Sequence, residues 1–339
     1  MKVLATVVLA ASLTGCVGSQ KGDDYFWFRS EGADMPVWVR GQRDSSVFVV
    51  FLQGGPGNPT QMVDAMFPEM TADLDQHYGM VYYDQRASGI SVGNASPETL
   101  SLEQYAEDLD VLVDILHSRY EIEHLFLWGV SWGGTLGNHY LSDPQRQAKI
   151  AGWIEMDGGD NMPLAYEISR PKIMDFATAQ IAAGTREGYW RKALDYYEEN
   201  EDKLPPPPQN LTHYNYVFDA GGYFYDPEDG FDSFLPYMFS GPFGVDYFSN
   251  QSYVDRHMDI DTINLHPELG AITVPALVIW GENDLVVPVE VGQLTYEALG
   301  TAEADKTLLI LENTAHTVPN EAPAESLEAM HAFISGVVD

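Results

Sequence analysis

The 339-residue chain has a single cysteine, Cys16. One cysteine closes no internal disulfide, so the fold cannot depend on one. Basic residues are also scarce: 17 Lys and Arg stand against 51 Asp and Glu, for a formal net charge of −34. Binding nucleic acid requires clustered cations that neutralise phosphates, and the sequence holds no such cluster, which sets that class aside. H-E-x-x-H and other paired-ligand motifs are missing too, so no metal and no cofactor is expected. What the chain does have is apolar substance, 45% of residues, enough for a sizeable core. Its length suits one large domain with an insertion, or two modest domains. The acidic excess has two readings: a negative surface that keeps a secreted protein dissolved in salty surroundings, or a field that draws cationic substrates such as a free amino end.

The first sixteen residues, MKVLATVVLAASLTGC, carry one Lys, then an apolar run, then small residues. The run is too short to span a bilayer as a helix and reads as a secretory signal. LTGC at 13–16 resembles the bacterial lipobox, in which the Cys is acylated after cleavage in front of it. On that reading residues 1–15 are a lipoprotein signal peptide, Cys16 is the lipidation site and 16–23 form a short tether. The mature protein is then held at a membrane surface of the bacterial cell envelope by acyl chains.

Beyond the tether, DYFWFRS and MPVWVRG alternate as half-exposed antiparallel strands should, while SVFVVFLQ is continuously apolar, as a strand covered on both faces should be. From there strands and helices alternate: GMVYYD (79–84), a helix over 102–120, HLFLWGV, a helix opened by WGGTLG, and AGWIEMDG. The pattern stops between about 159 and 267, a stretch rich in Tyr, Phe, Glu and Pro with two helical patterns, in which PPPP at 205–208 is expected to end the second helix. It resumes with ALVIWG (276–281), a helix near 289–299, TLLILEN and a last helix from about 320. This alternation predicts a mostly parallel central sheet with helices on both faces. The core would comprise 24–158 and 268–339, with 159–267 an inserted, mainly helical cap over the C-terminal strand ends.

Gly129-Val130-Ser131-Trp132-Gly133 matches G-x-S-x-G, between an expected strand and an expected helix. The turn is tight and the serine stands at a helix N-terminus, where developing negative charge is favoured. A serine hydroxyl needs a base to take its proton. Of nine His, only His316 follows a late strand in a short loop; His331, in the closing helix, reads as structural. Asp284, just past ALVIWG, is the candidate that orients the base, with Glu282 its nearest rival. Ser131, Asp284 and His316 occur in the Ser–acid–His order of an α/β-hydrolase. Two donors are needed for an oxyanion: the backbone N–H of Trp132, and one from LQGGPGNP, for which Gly55 is the choice. An Asp in place of Ser131 would have indicated a dehalogenase or epoxide hydrolase.

QGGPG (53–57), DQRASGIS (84–91) and GVSWGG (129–134) resemble the HGGPG, DQRGSGxS and GGSWGS motifs of the prolyl iminopeptidase family of α/β-hydrolases. WGENDLVVP and NTAHTVP are similar to that family's acid and base loops. The resemblance covers roughly 45–158 and 274–339 and hardly touches the insertion. It implies the α/β-hydrolase fold and a serine peptidase that releases an N-terminal residue, often proline. Ser131, Asp284 and His316 would be its catalytic residues, and Gly55 and Trp132 its oxyanion hole. Asp84, Gln85 and Arg86 would form a structural loop behind the site. Gln53 and Ala87 depart from the family motifs. In the family, cap carboxylates bind the substrate's amino group; the acids that offer themselves here are Glu155 and Asp157 at the cap entrance, Glu167, and Glu198 with Glu199. The expected substrate is a small peptide. A carboxylesterase or other amide or ester hydrolase with the same residues is the alternative, and an inactive lipid-anchored binding protein a third possibility.

Overall fold

A computed structural model describes residues 23–60, 63–206, 209–226, 250, 253–254 and 256–339. The expected signal, Cys16 and nearly all of the expected tether therefore lie outside the described residues.

The strands are β1 (Asp24–Ser30), β2 (Ala33–Gly41), β3 (Val47–Leu52), β4 (Gly79–Tyr83), β5 (Val92–Gly93), β6 (His124–Val130), β7 (Gly152–Met156), β8 (Ala276–Gly281) and β9 (Lys306–Leu311). They form one sheet in the order β1-β2-β4-β3-β6-β7-β8-β9, with β5 beside β2. β2 is antiparallel to both β1 and β4, and every neighbour pair from β4 to β9 is parallel. Burial follows position: β1 and β9 at the edges mix buried and exposed residues, whereas β7 and β8 are buried throughout. Central parallel strands are covered by helices on both faces, so near-continuous apolar runs are what they favour, with Glu155 in β7 the exception.

Several of the surface helices are amphipathic. Leu102–Arg119 shows the device clearly: Ser101 caps its first turn by accepting the Gln104 N–H, Glu103 lies at the positive end, and Arg119 at the negative end. Its buried face (Tyr105, Leu109, Leu112, Leu116) joins one apolar cluster under the sheet. A second cluster on the other face packs Val49, Phe51, Phe126, Trp128, Ile154 and Ile279 against helix Pro323–Val338.

Between β7 and β8 the described residues include the helices Met162–Ala182, Glu187–Glu199 and Leu211–Asp219. They have a small core of their own, with Tyr166, Trp190, Tyr197 and Tyr216 at its centre. The second helix ends at Glu199, ahead of the proline run. Its last turn is already closed by side chains: Asn200 Nδ2 donates to the Tyr196 carbonyl and Tyr166 Oη to the Asn200 carbonyl. The third helix was not expected, because LTHYNYVFD is too aromatic and too short for a clear helical stripe. The insertion is tied down by backbone pairing, Leu285 N–H donating to the Gly222 carbonyl.

Candidate active site

The order β4-β3-β6-β7 places the reversal of strand order between β3 and β6, where open parallel sheets form a crevice. The register pairs Leu52 with Gly129, so the QGGPG loop after β3 and Ser131 after β6 leave the sheet side by side. Ser131 adopts φ 55° and ψ −118°, a conformation that few side-chain-bearing residues take. It persists because the turn is crowded: a Cβ at Gly129 would overlap the Gly133 carbonyl, and one at Gly133 the Leu52 carbonyl. The Ser131 N–H is held by the Met156 carbonyl at 2.9 Å.

Ser131 Oγ lies 2.9 Å from His316 Nε2, and His316 Nδ1 lies 2.7 Å from Asp284 Oδ2. Asp284 Oδ1 accepts the N–H groups of Val286 and Val287 at 2.7 and 2.9 Å. Asp284 and His316 are both buried. Burial pushes the Asp284 carboxyl up, while His316 and the two N–H groups pull it back. Three residues separated by up to 185 positions are thus joined in one hydrogen-bonded chain. Such a chain can pass a proton from the serine hydroxyl to the imidazole and hold the resulting charge. Glu282, the rival of Asp284, is exposed.

Ser131 opens onto a cavity of about 290 Å³. Gly54, Gly55 and Trp132 line it beside Ser131, and a Cβ on Gly54 would stand 3.9 Å from Ser131 Oγ. The remaining wall is largely apolar, including Phe51, Phe67, Val130, Met162, Ile263 and Val286. Asn210, Leu211 and Tyr214 reach it from the helical insertion. Among the described residues the lining includes no Asp, Glu, Lys or Arg. Asp261 stands behind the wall, accepting from Asn210 Nδ2 and Tyr214 Oη, each at 2.8 Å.

The acids expected to anchor a substrate amine are placed elsewhere. Glu155 and Asp157 are fully buried and line no part of the cavity, because their carboxyls are taken up inside the protein, Glu155 by Asn138 and Asp157 by the Gly281 N–H. Glu155 accepts from Asn138, which also donates to Asp160. Burial and the neighbouring Asp160 push its carboxyl well up. Glu167, Glu198 and Glu199 are exposed on the insertion's outer surface and line no part of the cavity either.

The DQRASG loop has a more specific place than its motif disclosed. Asp84 accepts the N–H of Thr60, from the loop after β3, and the N–H of Ile90. Gln85 accepts the indole N–H of Trp132 at 2.9 Å. Arg86 and Asp108 form a buried two-pronged ion pair with both contacts at 2.6 Å. Two contacts were missed altogether: the Tyr223 ring packs at a tilt against His316 with centroids 5.6 Å apart, and Glu321 accepts the Ala315 N–H. No motif marks either residue, since only the folded chain brings them to the base.

A sequence profile described as the alpha/beta hydrolase family matches residues 49–329, and the chain belongs to that family. It has the family's fold, a mostly parallel sheet with a helical insert. It is 25% identical over 308 residues, 85% of this chain and 89% of the relative, to a probable aminopeptidase, YbaC, of Bacillus subtilis (strain 168). Among solved structures it is similar to a proline iminopeptidase-related protein of Thermus thermophilus, with TM-score 0.62 and 18% identity over 94% of this chain and 99% of that one. It is equally similar to an enol-lactonase of Burkholderia xenovorans, with TM-score 0.61 and 19% identity over 91% and 100%. At such identities the structural likenesses speak for the fold alone.

Proposed function

We propose that this chain is a serine hydrolase working through an acyl-enzyme, and that its reaction is the release of an N-terminal residue from small peptides. The hydrogen-bonded chain Ser131–His316–Asp284 at the mouth of a cavity carries the first part. Ser131 Oγ attacks the carbonyl carbon as its proton moves to His316 Nε2. The oxyanion takes the N–H groups of Gly55 and Trp132, each worth about 10²–10³ in rate. His316 then protonates the leaving amine, and water, activated by the same ring, hydrolyses the acyl-enzyme. The near full-length relationship to a probable aminopeptidase and the QGGPG, DQRASG and GVSWGG motifs support the peptide reading.

The uncharged, mostly apolar cavity wall favours a second reading, hydrolysis of esters or other amides with an apolar acyl group. Aminoacyl p-nitroanilides compared with their N-acetylated forms and with p-nitrophenyl esters separate the two. An aminopeptidase loses activity on acetylation; equal rates on both forms, or turnover of esters only, would transfer the function to the second reading. Ser131→Ala is expected to lower kcat by about 10⁴–10⁶ without changing the melting temperature greatly. We also infer that the mature chain starts at an acylated Cys16 and works from a membrane surface of the bacterial cell envelope. The LTGC motif and its place behind an apolar run support this.

A further inference from the structure

Asp157 lines no part of the cavity, yet its carboxyl stands against the two groups that serve Ser131. One of its oxygens, one of Asp284's and a ring nitrogen of His316 lie within 4.8 Å of one another. Asp157 leaves β7 with φ 50°, a left-handed conformation uncommon for residues other than Gly. It is held there by its neighbours. Its N–H donates to the Ile279 carbonyl at 3.2 Å, and its Oδ1 accepts the Gly281 N–H at 3.0 Å. The Val318 N–H also acts on its carboxyl. Gly281 is three residues before Asp284, and Val318 two residues after His316. The carboxyl therefore braces the loop that carries the acid and stands close against the base. Its Oδ2 is buried with no hydrogen-bond partner, which disfavours a full charge on that oxygen.

We propose that Asp157 is a positioning residue and a latent acid of this site, neutral while Asp284 is ionised and able to ionise in support of His316 when the Asp284 charge is removed. This rests on the serine-hydrolase reading of Ser131, His316 and Asp284. Two carboxyls this close in a dry site do not both ionise readily. Burial first, and then the Asp284 charge, push the Asp157 carboxyl well up. The other groups facing this cluster are Glu321, which pushes in the same direction, His316, and Tyr223, whose ring packs against His316. With Asn at 284 the main repelling charge is gone. Asp157 then releases its proton to solvent, and its carboxylate faces the imidazolium that forms when His316 takes the Ser131 proton.

The test compares the wild type, Asp284→Asn and the double variant Asp284→Asn/Asp157→Asn. Hydrolysis and the rate of Ser131 labelling by a fluorophosphonate are followed from pH 5 to 10, with thermal melts as the folding check. Asp284→Asn is expected to stay about 10- to 100-fold more active than the double variant, well short of a complete oriented pair. Its rate should rise with pH through an ionisation that the double variant lacks, which a purely structural role would not produce. Equal rates with parallel pH profiles would overturn the proposal. If the double variant does not fold, NMR titration of the His316 ring in Asp284→Asn decides: two phases support a neighbouring ionisation, and a single phase overturns it. A wild type that neither hydrolyses nor labels overturns the serine-hydrolase reading, whereas an active wild type with indistinguishable variants overturns only the role of Asp157.

Discussion

The indole Nε1–H of Trp132 donates to Oε1 of Gln85 at 2.9 Å, both groups being buried. That bond fastens the residue behind Ser131 to the DQRASG loop. The same loop, through Asp84, holds Thr60 beyond the QGGPG turn. Both proposed oxyanion donors are therefore braced from one place. Gln85→Leu should leave the Trp132 indole without a partner, at a cost of about 1–3 kcal/mol in stability. Because the donor moves with the indole, kcat should fall about tenfold with little change in KM. Steady-state kinetics beside a urea melt check this; a loss confined to KM would contradict the bracing.

Arg86 and Asp108 are both about 1% exposed and pair only 2.6 Å apart. Asp108→Ala strands a buried guanidinium and should destabilise the protein by about 3–5 kcal/mol. Replacing both residues by apolar ones, Arg86→Met with Asp108→Leu, should recover much of that loss, since the desolvation of two charges disappears with them. Urea midpoints of the three proteins decide; a double variant as unstable as Asp108→Ala would show that the pair's geometry matters beyond its charge.

The Asp84 carboxyl is pushed up to about 6 by burial, although the Ile90 and Thr60 N–H groups oppose the shift. A carboxyl raised in the folded state binds its proton more tightly there than in the unfolded chain. Its contribution is thus fully present below about pH 4 and is lost as the pH rises through about 6. Asp84→Asn should flatten the stability-against-pH curve across that window by up to about 3 kcal/mol. Unfolding free energies in urea at half-unit pH steps measure the slope; identical slopes in both proteins would exclude Asp84 as its source.

Cys16→Ser should abolish acylation and release the protein from the membrane fraction of a bacterial host. Mass spectrometry of the mature N-terminus checks this directly. An unmodified cysteine, or cleavage elsewhere, would return the first residues to an ordinary signal peptide.

The strands β6 and β8 begin and end where their apolar runs do, at 124–130 and 276–281. A strand covered on both faces is apolar at nearly every position, so in these two strands the limits are written in the sequence. The G-x-S-x-G turn is local in the same way, as is the Ser–acid–His order that follows from strands met in succession. Glu155 and Asp157 show the limit. Their spacing placed them at the entrance of the insertion, but direction at a strand end depends on which neighbours cover it, and that is not a property of the strand's own residues.

The sequence by itself determined the alternating architecture, the serine turn and the single late histidine loop, because each rests on local backbone geometry and on burial patterns within a few residues. Only the tertiary structure decided that Glu282 stays outside while Asp284 meets His316, that the cavity wall carries no acid among the described residues, and that Asp157 stands behind the base. Those outcomes are distances between side chains far apart in the chain, and they come into being only when the strands take their places in the sheet.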